Sequence, residues 1–343
     1  MAGLLTDSFQ EAAQKVLPRL AGLHCCESTV KRTTEDAGAR VGDWLEQGCT
    51  FGETTTCWLW HKDKLGRRVA YVSVDATGVR QQAAGGGRAE GRMPYVAMVY
   101  NPPPEKEKSP DAQADKPAPA RSAAAKAADV MQARYLAGLY KLPELGLLLR
   151  RQAAQVGMEH AEVWIGLSDA GNGLDDFLQN NFNRASLVLI LDFYHPASRL
   201  EELARLYYPG QKEQAEQQAQ QWCHVLKHEG GEKLLEHLQA LEPPKSQAGR
   251  EKYEETVSYF SNHKARMNYP EYLAQGWHIG SGGVESACKT VVGQRLKLAG
   301  MRWREYGTDN VSHLRAIFKS EKGQWEAFWA RHVNKRPIFY QLK

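Results

Sequence analysis

Three carboxylates stand where an apolar run gives way to a turn or a helix: Asp75 after "YVSV", Asp169 after "VWIGLS", and Glu285 within "GSGGVESACK". Acids at the C-terminal ends of strands line one edge of a sheet, the edge where α/β folds hold their ligands. A closing helix packed across that edge would bring Glu285 to the same place. Three hard oxygen donors suit Mg²⁺ or Mn²⁺, which take few protein carboxylates and complete their shells with water and phosphate oxygens. Two such ions about 4 Å apart would stabilise the attacking and leaving oxygens of an in-line phosphoryl displacement. Each acid also has a plainer explanation. Aspartate is common turn chemistry at a strand end, and the helix macrodipole favours an anion such as Glu285 at an N-terminus.

The elements that must position these acids can be read from the hydrophobic patterning. Residues 8–46 read as two helices, the first with Ser8 and Glu11 in a capping-box spacing and the second with Ser28 as its N-cap. The second opens with Lys31 and Arg32 and fits both a helix-turn-helix DNA reader and a plain helical hairpin. Strand-like runs follow in "RRVAYVSVDATGV" and "MPYVAMVYN", joined by a glycine-rich turn whose spacing matches no phosphate-binding loop. Residues 101–127, rich in Pro, Ala and charge, read as a disordered loop inside a domain. Helix is expected from there to about residue 158, then strand 161–168, a helix, and strand 186–193. Residues 197–275 are strongly helical and polar, interrupted by Pro243-Pro244. This order gives an α/β core with helical additions.

With 343 residues the chain is long enough for two domains, and 42% hydrophobic with 24% charged residues describes an ordinary globular protein. The N-terminus lacks the basic start and apolar core of a signal peptide, and no apolar run approaches a bilayer span. Six cysteines without a CxxC pair read as reduced cytosolic thiols, core residues before metal ligands. Net charge is +4, yet residues 286–343 hold twelve Lys/Arg against four Asp/Glu. A basic end on a near-neutral body points to a polyanion, nucleic acid first. Lys289, Arg295, Lys297, Arg302 and Arg304 would track phosphates there. Trp303, Trp325, Phe328 and Trp329 could stack on bases, but aromatics at helical spacing are usually core.

The segments "YVSVDATGV", "WIGLSDAGNGL", "LILDFYH" and "GSGGVESACKTVVGQRLKLAGMRW" resemble, in order, the motifs of DDE transposases of bacterial insertion sequences. The ISKra-type family, related to the Mutator-like group, is the family it resembles, over about residues 12–329. "YPEYLAQGWHIGSGGVESACK" is the most specific block. The resemblance implies Asp75, Asp169 and Glu285 as catalytic acids that hold two Mg²⁺ or Mn²⁺ ions, with Asp192 and His195 supporting the site. For His195 a simple helix-start role is equally compatible.

It also implies a ribonuclease-H-like mixed sheet with an N-terminal helical region (1–66), a core (67–195), a helical insertion (196–276) before the last core helix, and a basic end (277–343). The implied activity is DNA cleavage and strand transfer at element ends, by a homo-oligomer assembled on DNA in a bacterial cytoplasm, associated with the nucleoid. A ribonuclease-H-like nuclease and a non-catalytic, transposase-derived DNA-binding protein are the alternatives. The resemblance implies a longer region ahead of the helical hairpin, so a truncated N-terminus is an expectation. "HPASRL" also departs from the family's pattern at Pro196 and Arg199.

Overall fold

The computed structural model describes all residues except 52–57, 103–130, 170, 172, 185–186, 281 and 335–343. The expected disordered loop, apart from its first two residues, lies outside the described residues. The chain forms a mixed α/β fold whose strands run both parallel and antiparallel, divided into two compact units.

The first unit comprises residues 1–61, 70–162 and 284–343. After the short strand β1 (His61–Lys62), its sheet is built on β2 (Arg68–Ala76), a run buried on both faces from Val69 to Val74. Such a strand reads as continuous apolar sequence, without alternation. β3 (Val79–Gln82) and β4 (Arg88–Arg92) form a small hairpin of their own, closed at Ala83–Gly87 with Gly86 at φ +85°. β5 (Tyr95–Asn101) then pairs antiparallel with β2, setting Tyr71 opposite Tyr100 and Asp75 opposite Val96.

β6 (Gln132–Gly138) pairs antiparallel with β5, from Tyr95 opposite Gly138 to Asn101 opposite Gln132. Helix was expected across this stretch; it begins only at Leu142 and runs to Gln155. The alanines of "QARYLAG" favour helix locally, but burial of Ala133, Leu136 and Ala137 in the sheet overrides that weak preference.

Helix Glu27–Glu46 buries Val30, Ala37, Gly38, Val41 and Leu45. Its N-cap is Cys26 and not Ser28, whose hydroxyl lies 3.1 Å from the Cys26 Sγ. A Cβ on Gly38 would come within 1.9 Å of the Asn310 carbonyl oxygen, so only glycine allows helix Glu305–Lys319 to lie this close. Ser8 caps its helix as the spacing predicts, accepting from the Glu11 N–H at 2.9 Å, while the Glu11 carboxylate reaches back to the Asp7 N–H at 3.1 Å.

The second unit comprises residues 62–69 and 163–283. Here β7 (Val163–Ser168) and β8 (Leu187–Leu191) run parallel, with Ser168 opposite Leu191, joined by helix Leu174–Asn181. Parallel neighbours need such a crossover, and Gly166 leaves room for Leu178 and Leu189 to close over the strand. Helices Tyr194–Tyr207, Lys212–Glu229, Gly231–Gln239 and Gln247–His263 follow, the last capped by Ser246, whose Oγ accepts from the Gly249 N–H at 3.1 Å. Among the described residues no helix is long and apolar enough to cross a membrane.

Candidate active site

In the first unit, Asp75 lies next to the last residue of β2, half-buried. Its Oδ1 accepts from the Ala76 N–H at 2.7 Å and its Oδ2 from the Cys288 thiol at 3.4 Å. Cys288 is buried and begins a π-helical turn, Cys288–Gly293, that continues helix Gly282–Ala287. Glu285 precedes it by three residues, so the two share one helix face. The Cys288 thiol is pushed far up from its ordinary value. Burial is the main cause, followed by the Asp75 charge and hydrogen bond; Lys297 opposes them and the Glu285 charge adds to them. The Asp75–Cys288 hydrogen bond thus joins the end of β2 to the helix on which Glu285 lies, three residues before the thiol. Glu285 itself is exposed. Lys297 reaches this strand end as well, donating to the Thr77 Oγ1 at 2.9 Å.

In the second unit, the parallel register carries Asp169 and Asp192 to the same C-terminal strand edge, one residue beyond the paired Ser168 and Leu191. The Asp192 N–H donates to the Ser168 carbonyl at 2.9 Å. Asp169 is half-buried and its Oδ1 accepts from the Gly171 N–H at 2.9 Å. Asp192 is only 1% exposed. Its Oδ1 accepts from the Tyr194 N–H at 3.0 Å, and its Oδ2 lies 3.8 Å from His195 Nε2. Asp192 thus fixes the start of helix Tyr194–Tyr207 and holds His195 beside it.

Sequence reasoning missed Tyr259, whose partners are Arg199 and Arg266 and which feels the Asp169 charge. Tyr259 is pushed up to about 12, mainly by burial, with the Arg199 and Arg266 charges pulling it down and Asp169 pushing it further up. The Arg199 guanidinium lies 4.2 Å over the Tyr259 ring, and Arg266 pairs with Asp175, which accepts from the Ser168 hydroxyl at 2.5 Å. No local spacing links these residues, which lie up to ninety-seven positions from Asp169. Cys288 was legible only as a core thiol, although its spacing of three from Glu285 was a usable signal.

Gly280, Gly282 and Gly283 precede Glu285. None of Gly280, Gly282 and Gly283 takes a left-handed backbone, and the last two lie within the helix. A Cβ at Gly280 would meet the exposed Tyr194 ring at 2.7 Å, so that ring would have to shift.

The cation set divides. Lys31, Arg32, Lys289, Lys297, Arg302 and Arg304 are exposed, with Lys31 only 4.0 Å from Glu35 on its own helix. Arg295 corrects the expectation that it faces DNA. It is 1% exposed, its Nε donates to the Gly3 carbonyl at 2.9 Å, and its guanidinium lies over the rings of Phe9 at 4.4 Å and Trp303 at 5.0 Å. A guanidinium buried against these two rings cannot reach a phosphate. Trp303 and Phe328 are buried, as the core reading of the aromatics expects.

Among the described residues no three His, Cys, Asp or Glu side chains form a ready-made metal cluster. No protein-family model matches the chain, and no curated protein matches it either.

Proposed function

We propose that this chain is a DDE-type transposase, cleaving DNA at the ends of an insertion element and joining them to a target. The observation that carries the reading is the hydrogen bond from the Cys288 thiol to Asp75, which ties the end of β2 to the helix that carries Glu285 three residues earlier. Asp169 and Asp192 at the parallel strand edge support it.

Mg²⁺ or Mn²⁺ fits the donors: Asp75, Asp169 and Glu285 offer hard carboxylate oxygens. When bound by these three acids, two such ions supply Lewis-acid stabilisation of charge on a phosphodiester.

The remaining work belongs to the side chains. The Ala76 N–H and the Cys288 thiol fix the rotation of the Asp75 carboxylate. Asp192 and His195 brace the edge beside Asp169. Lys289 and Lys297 offset phosphate charge near Glu285. Water attacks phosphorus at each element end and breaks the P–O bond, giving a 3′-hydroxyl and a 5′-phosphate. The 3′-hydroxyl then attacks a target phosphodiester, forming a new P–O bond and displacing the target strand's 3′-oxygen as a free hydroxyl. No covalent protein–DNA bond forms, because the acids neither attack nor leave. DNA is the partner, and pairing of two ends calls for a homo-oligomer on DNA.

The test is incubation of the protein with Mg²⁺, labelled duplexes carrying the inverted repeats that flank its own gene, and a supercoiled target. Strand-transfer product supports the reading. Nicked duplex without transfer identifies a nuclease, and binding without either identifies a DNA-binding protein; both overturn it.

A further inference from the structure

The hairpin β3–β4 is extended by a third segment: the Trp303 N–H donates to the Arg80 carbonyl at 3.0 Å, and the Gln82 N–H donates to the Trp303 carbonyl at 2.7 Å. Arg80, Arg88 and Arg302 thereby line one open cleft of about 480 Å³, with Gln81, Ala89 and Gly91 between them. The pairing slips between Val79 and Gln81, where Arg80 faces the two residues Glu90 and Gly91. Such a bulge re-aims side chains and tightens the local twist.

The acids nearby are already taken. Arg92 holds Glu305 at 2.6 Å and Glu90 at 3.5 Å. Among the described residues none of the three cleft guanidiniums is paired with a carboxylate. Gln81 is buried and bonded through its Nε2 to Thr308 Oγ1 at 2.9 Å, leaving its Oε1 without a protein partner. The cleft thus carries three guanidiniums and no carboxylate among its lining residues. Guanidinium forks match phosphate oxygens two at a time, and three on one cleft match a chain of phosphates better than a single anion. Arg80 follows Asp75 by five residues, so their Cα atoms are at most about 18 Å apart along the chain. At a rise of about 3.4 Å per base pair, that is roughly five base pairs of duplex.

We propose that this cleft grips the sugar–phosphate backbone of duplex DNA within about five base pairs of the phosphodiester served by Asp75. The proposal rests on the transposase reading for the identity of its occupant. The side chains are exposed, so their removal should leave the fold intact.

The experiment compares the parent chain, the triple variant Arg80→Ala/Arg88→Ala/Arg302→Ala, the corresponding triple lysine variant, and Arg88→Glu. Binding to a labelled 30-base-pair duplex is followed by anisotropy from 50 to 300 mM KCl, beside a melting curve and an RNA duplex of the same sequence. The alanine variant should lose two to three units of the slope of log K against log salt, at roughly 0.9 unit per phosphate contact. The lysine variant should keep most of the slope, and Arg88→Glu should weaken DNA binding at least tenfold. An unchanged slope in the alanine variant, with affinity unchanged in Arg88→Glu, overturns the cleft and leaves the transposase reading standing. A parent chain that binds no DNA duplex, or prefers RNA, overturns both.

Discussion

Replacing Arg295 with alanine tests the packing of the first unit where sequence and structure disagree most. The guanidinium donates to the Gly3 carbonyl at 2.9 Å, and its loss leaves that buried acceptor unmatched. A bond from a charged donor contributes about 1.5–3 kcal/mol. The two aromatic faces at 4.4 and 5.0 Å add about 1 kcal/mol each in this desolvated setting. Against this, burial and then the neighbouring Arg315 charge lower the Arg295 pKa to about 10, and removing the charge relieves about 3 kcal/mol of that conflict. The net expectation is a loss of about 1 kcal/mol for Arg295→Ala.

Urea unfolding followed by tryptophan emission is the assay, since Trp303 lies against the guanidinium and reports on this unit. Arg295→Met should recover part of the loss by refilling the volume, as apolar replacements of buried charges often do. Lys297→Ala, on the exposed side of the same segment, should stay within about 0.5 kcal/mol of the parent. If Arg295→Ala unfolds with the parent and instead flattens the salt dependence of DNA binding, the guanidinium faces DNA and the packing described here is wrong.

Three further outcomes are expected. Gly38→Ala should cost about 3 kcal/mol or more, because its Cβ would fall 1.9 Å from the Asn310 carbonyl oxygen; a melting temperature equal to the parent's would contradict that close crossing. The Ser28 and Thr29 hydroxyls lower the exposed Cys26 thiol to about 7, so its alkylation by iodoacetamide should level off above pH 8 and fall about tenfold per unit below pH 6. Ser28→Ala with Thr29→Val should move that inflection upward, and an unmoved inflection refutes the cause. Cys288, buried and held as a thiol, should stay unmodified in the native protein at pH 8 by peptide mapping; its rapid labelling would mean the contact with Asp75 is absent.

What the sequence made legible were features carried by local pattern. The buried run of β2 and the parallel pair ending at Ser168 and Leu191 stand out as apolar stretches, and their following acids mark the strand ends. The Ser8 cap and the turn near Gly86 are equally local. What escaped was decided by partners distant in the chain. β6 is a strand because β5 offers it a ladder, against the helix preference of its alanines. Arg295 looked like one more cation on a basic helix, and its partner Gly3 lies 292 residues away. The thiol contact to Asp75 spans 213 residues, and Tyr259, Arg199 and Arg266 reach the Asp169 edge only through the packing of the helical block.

The proposed function depends most directly on Glu285 being a catalytic acid and not a capping anion. Glu285→Gln tests it most directly, because the amide keeps the size of the carboxylate and removes only its charge. The measurement is the rate of end cleavage in Mg²⁺ beside a binding titration with the same duplex. The account predicts a loss of about a thousandfold in rate, or about 4 kcal/mol of barrier, with affinity for DNA kept or slightly raised. Cleavage at the parental rate would contradict it and leave Glu285 as an anion that merely caps its helix.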